Sequence, residues 1–315
     1  MTKFSYTIAE KAPLIRQMTN ALTQLKSVAR NRAGLKREGA QHILRDFDEI
    51  RGAVERYYGS PIQGKKILEL GAACPETRSL QFAACGNDCS VIDTDVFVNS
   101  WFDWRGWQSI VRSNGWQRLP RVMARRAFGL DQLKLRLLTQ AMQLKHPPAL
   151  HRHVMDAANL SFGDSSFDLV FSIFVFEHVA KPEETLLEIK RVLKPGGVAF
   201  HRIDTFDAFN GGHDLRLNNS TADAPSPWAQ LIPSLESSIQ PCAYVNRLTI
   251  PDWVKLVEKT WPGAQFHRNV LTDKDKLAKF KALRAAGFLS EYSEADLLTA
   301  GFDVYWTKPK AGKFS

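Results

Sequence analysis

From Lys66 onward the chain alternates short apolar runs with helix-like stretches, and this rhythm restricts the fold more than any other feature of the sequence. Lys66-Ile67-Leu68-Glu69-Leu70 is a buried-strand candidate that stops at Gly71. A helix is expected over about 76–84, then strands over 89–93, 153–156 and 167–172. Residues 182–193 read as a helix, with a proline in its first turn and a stop at Pro195-Gly196-Gly197. A fifth strand follows over 198–203, and later candidates lie at 265–270 and 302–307, after a helix at 251–259. Apolar strands that alternate with helices imply a parallel sheet covered on both faces. The expected fold class is therefore α/β: a doubly wound, mostly parallel seven-stranded sheet.

Three segments stand outside this rhythm. Residues 1–60 are expected to form an N-terminal helical cap, with apolar positions at helical spacing: Leu14, Met18, Leu22 and Leu25, then Ile43, Phe47, Ile50 and Val54. The remaining 61–315 read as one domain with two insertions. The first, about 97–150, carries Trp101, Trp104, Trp107 and Trp116 and ends in an amphipathic helix with Leu130, Leu133, Leu137, Ala141 and Leu144 on one face. The second, 205–250, is rich in Asn, Gly, Ser and Pro, and loops of that length in a compact domain usually serve function. The N-terminal helices and this loop are expected to close over the open end of the sheet as a lid.

Charge is unevenly distributed. The net charge is +9, and residues 99–150 hold nine Lys/Arg against Asp103 and Asp131. Such an excess suits an anionic substrate, a membrane surface or a nucleic acid, and equally a solvated helical face. The four cysteines, Cys74, Cys85, Cys89 and Cys242, form no Cys-x-x-Cys pair and read as free thiols. The opening residues do not read as a secretory leader, and the apolar run at 169–176 is far shorter than the roughly 20 residues that span a bilayer. The chain reads as soluble and cytoplasmic.

The strand order and the residues at the strand ends resemble the class I S-adenosylmethionine-dependent methyltransferases, of the type 11-like family. The likeness covers about 62–204, and 251–307 fits the antiparallel pair with which that family ends its sheet. It rests on Glu69-Leu70-Gly71-Ala72-Ala73, on Asp93, on Asp156-Ala157, and on the runs Phe167 to Ser172, Phe176-Glu177-His178 and Arg191-Val192-Leu193-Lys194-Pro195-Gly196-Gly197. The resemblance implies S-adenosyl-L-methionine as cofactor at the carboxyl ends of the first three strands. Glu69 would lie near its amino group and Gly71, Ala72 and Ala73 would form the close-approach turn. Asp93 would hold the ribose hydroxyls, with Asp95 as the alternative, since a carboxylate accepts two such hydrogen bonds. Asp156 and Ala157 would face the adenine, and Ser172 would end the fourth strand beside the cofactor. Ala73 and Pro75 depart from the family's alternate glycines, and Pro75 also removes a backbone donor.

Methyl transfer asks the protein mainly for alignment and removal of a proton. His213 is the candidate base, with Asp214 or Asp204 as its partner, because Gly211-Gly212 lets that stretch approach a ligand. A loop histidine without chemistry is the competing reading. His178 is the second candidate, against the simpler reading that it opens the next helix; His201 reads as packing. Glu177, His178 and a third residue of 201–214 resemble the Glu-His arrangement of some small-RNA methyltransferases, but those carry another Glu where Phe174 stands here, so no metal is expected.

The expected function is O-methylation of a small-molecule or glycan-like acceptor in a biosynthetic setting, with the basic excess suiting an anionic one. The alternatives are an S-adenosylmethionine-binding enzyme of another kind, for example one that cyclises the cofactor, a nucleic-acid methyltransferase, and a degenerate domain acting only as a partner. Phe171-Ser172-Ile173-Phe174 stands where base-amine methyltransferases carry a Pro-Pro-aromatic motif, which counts against nucleic acid.

Overall fold

The computed structural model describes residues 39–72, 76–94, 102–114, 119–218 and 220–310, together with residue 29 and residues 32–34. The expected helix at 14–25, Trp101, Trp116, Ala73, Pro75 and Asp95 lie outside the described residues.

The first described long helix is α1 (Gln41–Tyr58). After it come β1 (Lys66–Leu70), α2 (Thr77–Ala84) and β2 (Asp88–Asp93). The first insertion supplies α3 (Trp104–Asn114), α4 (Leu119–Ala127) and α5 (Leu130–Ala141). The core resumes with β3 (His151–Val154), β4 (Phe167–Ile173), α6 (Pro182–Val192) and β5 (Leu193–Ile203). It closes with α7 (Ile250–Thr260), β6 (Gln265–Val270), α8 (Lys274–Ala285) and β7 (Thr299–Thr307).

The strands form one seven-stranded sheet in the order β3-β2-β1-β4-β5-β7-β6. The pairs from β3 through β5 are parallel, and β7 runs antiparallel to both β5 and β6. The chain order reverses direction between β1 and β4, which places a crevice at their carboxyl ends, the usual ligand position in open α/β sheets. This is the class I methyltransferase-like architecture.

β1 buries four consecutive residues, Ile67 to Leu70, because both faces of the sheet are covered. One face packs against α6 and α7, with Leu186, Ile189, Trp253, Val257 and Trp261 over Leu68, Leu70 and Val170. The other takes Phe47, Ile50 and Val54 of α1 and Phe82 of α2 over Ile67, Leu169, Phe171 and Phe200. The described part of the N-terminal segment is therefore a cover for a sheet face rather than for its open end, which corrects the lid expectation for α1. The apolar stripe at 43, 47, 50 and 54 was read correctly, but the surface it meets was not. Arg202 of β5 fixes this arrangement. Its guanidinium makes two bonds to Asp303 of β7, at 2.7 and 2.9 Å, and one to Glu49 of α1 at 2.7 Å.

α5 docks on α1 and α2 through Leu138, with Leu135 and Met142 beside it and Ile43 and Leu80 opposite. The buried stripe of α5 is thus rotated from the expected one: Ala141 is exposed. The strand expected at 198–203 begins earlier, at Leu193, which pairs with Phe167 of β4, while Gly196 and Gly197 exchange backbone hydrogen bonds with Lys308 just past β7. Among the described residues, no helix is long and apolar enough to cross a membrane.

Candidate active site at the carboxyl ends of β1, β4 and β5

Gly71 leaves β1 with φ of +64°, and a Cβ there would meet Val175 Cγ2 at 2.5 Å. Glycine is thus required twice over, by its left-handed backbone and by the close approach of the segment after β4. The amides of Gly71 and Ala72 both donate to the Ile92 carbonyl, which draws the turn toward the end of β2. Glu69 is buried, and its Oε2 accepts from Ser79 Oγ of α2 at 2.5 Å. Burial pushes its carboxyl up to about 7, against the opposing pull of Arg78. One of its oxygens is therefore occupied by the protein itself.

Asp93 ends β2 half-buried, beside this turn. Asp156, just past β3, caps its own turn through Ala158 N at 2.9 Å, and Ala157 packs against the main core. These groups lie at the same end of three parallel, adjacent strands. Ser172 does not join them. It is fully buried within β4, and its hydroxyl is shared with His201 Nδ1 at 2.8 Å, so its side chain faces the core instead of the crevice. His201 is the packing residue expected, and burial lowers its pKa to about 3. Glu76 and Arg152 were not singled out from sequence. They form a two-point ion pair at 2.9 and 3.2 Å that ties the start of α2 to β3.

The second half of the crevice is built by the turn after β4 and the segment after β5. Phe174 has φ of +56°, with its amide on the Arg202 carbonyl at 2.8 Å and its ring partly exposed. A 3-10 turn, Phe176–His178, follows. Asn246 pins this turn: its Nδ2 donates to the carbonyls of Phe176 and Val179, and its amide donates to that of Glu177. His178 Nδ1 meets the Tyr244 carbonyl at 2.6 Å, and since a carbonyl only accepts, Nδ1 carries the hydrogen.

His213 stacks edge-on against His178, with ring centroids 4.7 Å apart, and its Nε2 lies 3.5 Å from Asp204 Oδ2. Burial, aided by the neighbouring His178, lowers the His213 pKa to about 4, and burial raises the Asp204 carboxyl to about 7. Glu177 is 1% exposed, and burial drives its carboxyl well above the usual range. The backbone amides of Glu177 and Asp204 lean toward that carboxyl, but neither closes a hydrogen bond of normal geometry with it.

The structure thus joins His213, His178 and Asp204, three of the four expected catalytic residues, and adds Glu177. It sets Asp214 apart. That carboxylate is saturated by two contacts from the Arg216 side chain, at 3.0 and 2.7 Å, and by the amides of Arg216 and Gln240. Asp214 is a structural hub of the 205–250 segment, and Asp204 is the carboxylate that meets His213. Gly211 and Gly212 are both closely packed. A side chain at 211 would collide with the Phe206 carbonyl, and one at 212 would press on Ile239. The glycines permit tight packing that presents His213, itself left-handed at φ of +52°.

The same segment walls a cleft of about 360 Å³ lined by Phe206, Gln230, Leu231, Pro233, Glu236, Arg247, Thr249 and Tyr292. Gln230 also packs on Gly212, next to His213. The cleft has the size and mixed lining of a small-molecule pocket.

Residues 114–201, running through β3, β4, α6 and most of β5, match the family model described as a methyltransferase domain. That stretch is therefore similar to a methyltransferase domain. Among curated relatives it is 32% identical over 149 residues to a demethylmenaquinone methyltransferase of Clavibacter sepedonicus, covering 46% of this chain and 49% of that protein. It is 26% identical over 148 residues to the uncharacterized protein YafE of Escherichia coli K12, covering 47% and 62% of the two chains. The chain therefore spans less than two thirds of either relative. A solved phosphoethanolamine N-methyltransferase 2 of Haemonchus contortus, in complex with S-adenosyl-L-methionine, aligns over 83% of this chain and 53% of that one, at 15% identity and a TM-score of 0.45. The matched stretch contains Asp156, Ser172, Glu177 and His178, while His213 and Asp204 lie beyond it.

Proposed function

We propose that this domain binds S-adenosyl-L-methionine in the crevice at the ends of β1, β2 and β3 and transfers its methyl group to a small acceptor seated against His178, His213 and Asp204. The observation that supports the reading is that two groups of residues follow the carboxyl ends of neighbouring parallel strands: Gly71, Asp93 and Asp156 at the ends of β1, β2 and β3, and His178 and His213 after β4 and β5. The sulfonium is intrinsically reactive, so the protein's task is to bring a nucleophile in line and assist loss of its proton. A cluster of imidazoles and a carboxylate suits an oxygen nucleophile best, and the adjoining cleft has room for a small or glycan-like molecule. The basic helices of the first insertion favour an anionic acceptor.

Asp93→Ala tests the cofactor half. Loss of its ribose hydrogen bonds should cost about 1–3 kcal/mol, or roughly 5- to 150-fold in calorimetric affinity for S-adenosylmethionine. A folded Asp93→Ala protein that binds the cofactor like the parent would remove Asp93 from the site. The acceptor half is tested by incubation with methyl-labelled cofactor, with S-adenosylhomocysteine and methylthioadenosine measured separately. Accumulation of methylthioadenosine alone would favour cofactor cyclisation instead.

A further inference from the structure

We propose that Glu177, His178 and His213 form a binding site for one divalent first-row transition-metal ion, with Asp204 alongside as a fourth donor, through a carboxyl oxygen. Each of the three offers one ligand atom, and these atoms all lie within 4.8 Å of one another. They come from two separate chain segments, the 3-10 turn after β4 and the loop after β5, so their convergence is a product of the fold and not of sequence adjacency.

Two features point to a cation rather than to packing. Glu177 is 1% exposed, and neither carboxylate oxygen has a hydrogen-bond partner; His213 Nε2 is likewise buried without one. A buried carboxyl group and a buried ring nitrogen left without donors carry a desolvation cost, and a bound cation offsets it for both at once. The orientation of His178 is the second feature. Its Nδ1–H is spent on the Tyr244 carbonyl, which fixes the ring and turns Nε2 toward Glu177 Oε1 at 4.0 Å. Metal-ligating histidines are characteristically held in this way, by a hydrogen bond from the other ring nitrogen to a backbone carbonyl. Asp204 Oδ2, 3.5 Å from His213 Nε2, extends the set to two imidazoles and two carboxyl groups. Imidazole donors favour zinc, iron, cobalt or nickel over magnesium and calcium, which prefer all-oxygen sets.

The ion site stands on this geometry. Its service to methyl transfer rests on the reading given above: an ion there would hold the acceptor's oxygen and favour its deprotonated form, which narrows the acceptor to a molecule that presents a hydroxyl or carboxyl oxygen.

The test is calorimetric titration of the tag-free, chelator-treated full chain with Zn²⁺, without S-adenosylmethionine, so that the result does not depend on methyl transfer. Co²⁺ is used in parallel as a spectroscopic probe. One equivalent should bind, and Glu177→Gln and His213→Ala should each weaken binding by about 10- to 100-fold or more, since loss of a group that merely supports a ligand already costs that much. Co²⁺ should give ligand-field bands that both variants lose. Circular dichroism confirms that each variant is folded; if Glu177→Gln does not fold, His213→Ala and His178→Ala carry the test. Absence of stoichiometric binding by the parent chain overturns the proposal, as does binding that the variants leave unchanged. Either result would leave His213 with Asp204 as an unassisted pair and would not touch the methyl-transfer reading.

Discussion

His213→Ala is expected to lower methyl-transfer turnover by about 100-fold or more, the common scale for removal of a group that handles the nucleophile's proton, while cofactor affinity stays as in the parent. The two effects separate because the fold separates their sources. The residues assigned to the cofactor stand at the ends of β1 to β3, whereas His213 is delivered by the segment after β5. His213 is also held in place from three directions. Its backbone is left-handed, its amide donates to the Asn210 carbonyl at 2.8 Å, and its ring rests on His178. Such a backbone costs roughly 1–2 kcal/mol at a residue other than glycine, a cost tolerated here by the packing of Gly211 and Gly212 beneath it. Steady-state rates and calorimetric affinity for S-adenosylmethionine, measured on the same His213→Ala preparation, check the prediction. Full activity in that variant would remove His213 from the chemistry.

The second large effect concerns stability. Asp303→Ala should cost about 3–5 kcal/mol, because it leaves the Arg202 guanidinium largely buried with half of its partners gone. Asp303 is 1% exposed and faces Arg202 directly across the β5–β7 ladder. Glu49, the other partner, is largely exposed on α1, so Glu49→Ala should cost about 1 kcal/mol or less. Denaturant titration distinguishes the two: the midpoint should fall far more for Asp303→Ala, with the slope unchanged in both. Equal, small losses would show that the ion pair does not anchor β7. The Phe174 amide bonds to the Arg202 carbonyl, so loss of this anchor should also loosen the turn that bears Glu177 and His178.

The sheet was legible because its signals are local. β1 reads as a run of buried residues ended by a glycine, α6 as a helix opened by Pro182, and Asp93 and Asp156 as acids at strand ends. What the sequence hid is long-range. The stripe Ile43-Phe47-Ile50-Val54 announces a buried helix face but not which surface it covers, and α1 chose the face of the sheet over its open end. His213-Asp214 looked like a working pair because the two are neighbours. In the structure Arg216 and two amides claim Asp214, and the partner of His213 is nine residues back. Tyr244 and Asn246, which orient His178 and its turn, lie almost seventy residues downstream, and no local pattern marks them. Ser172 was assigned by analogy with strand ends, yet the alternation of β4 turns it inward to His201. Glu177 was read beside His178, but its burial without hydrogen-bond partners is a property that only three-dimensional packing reveals.

The most direct measurement is an experimental structure of the chain with S-adenosylhomocysteine bound. The predicted result has the ribose hydroxyls on Asp93, the adenine beside Asp156 and Ala157, and the sulfur facing the His178–His213–Asp204 cluster across the end of β4. A cofactor bound elsewhere, or one whose sulfur points away from His213 with the cleft beyond reach, would contradict the account.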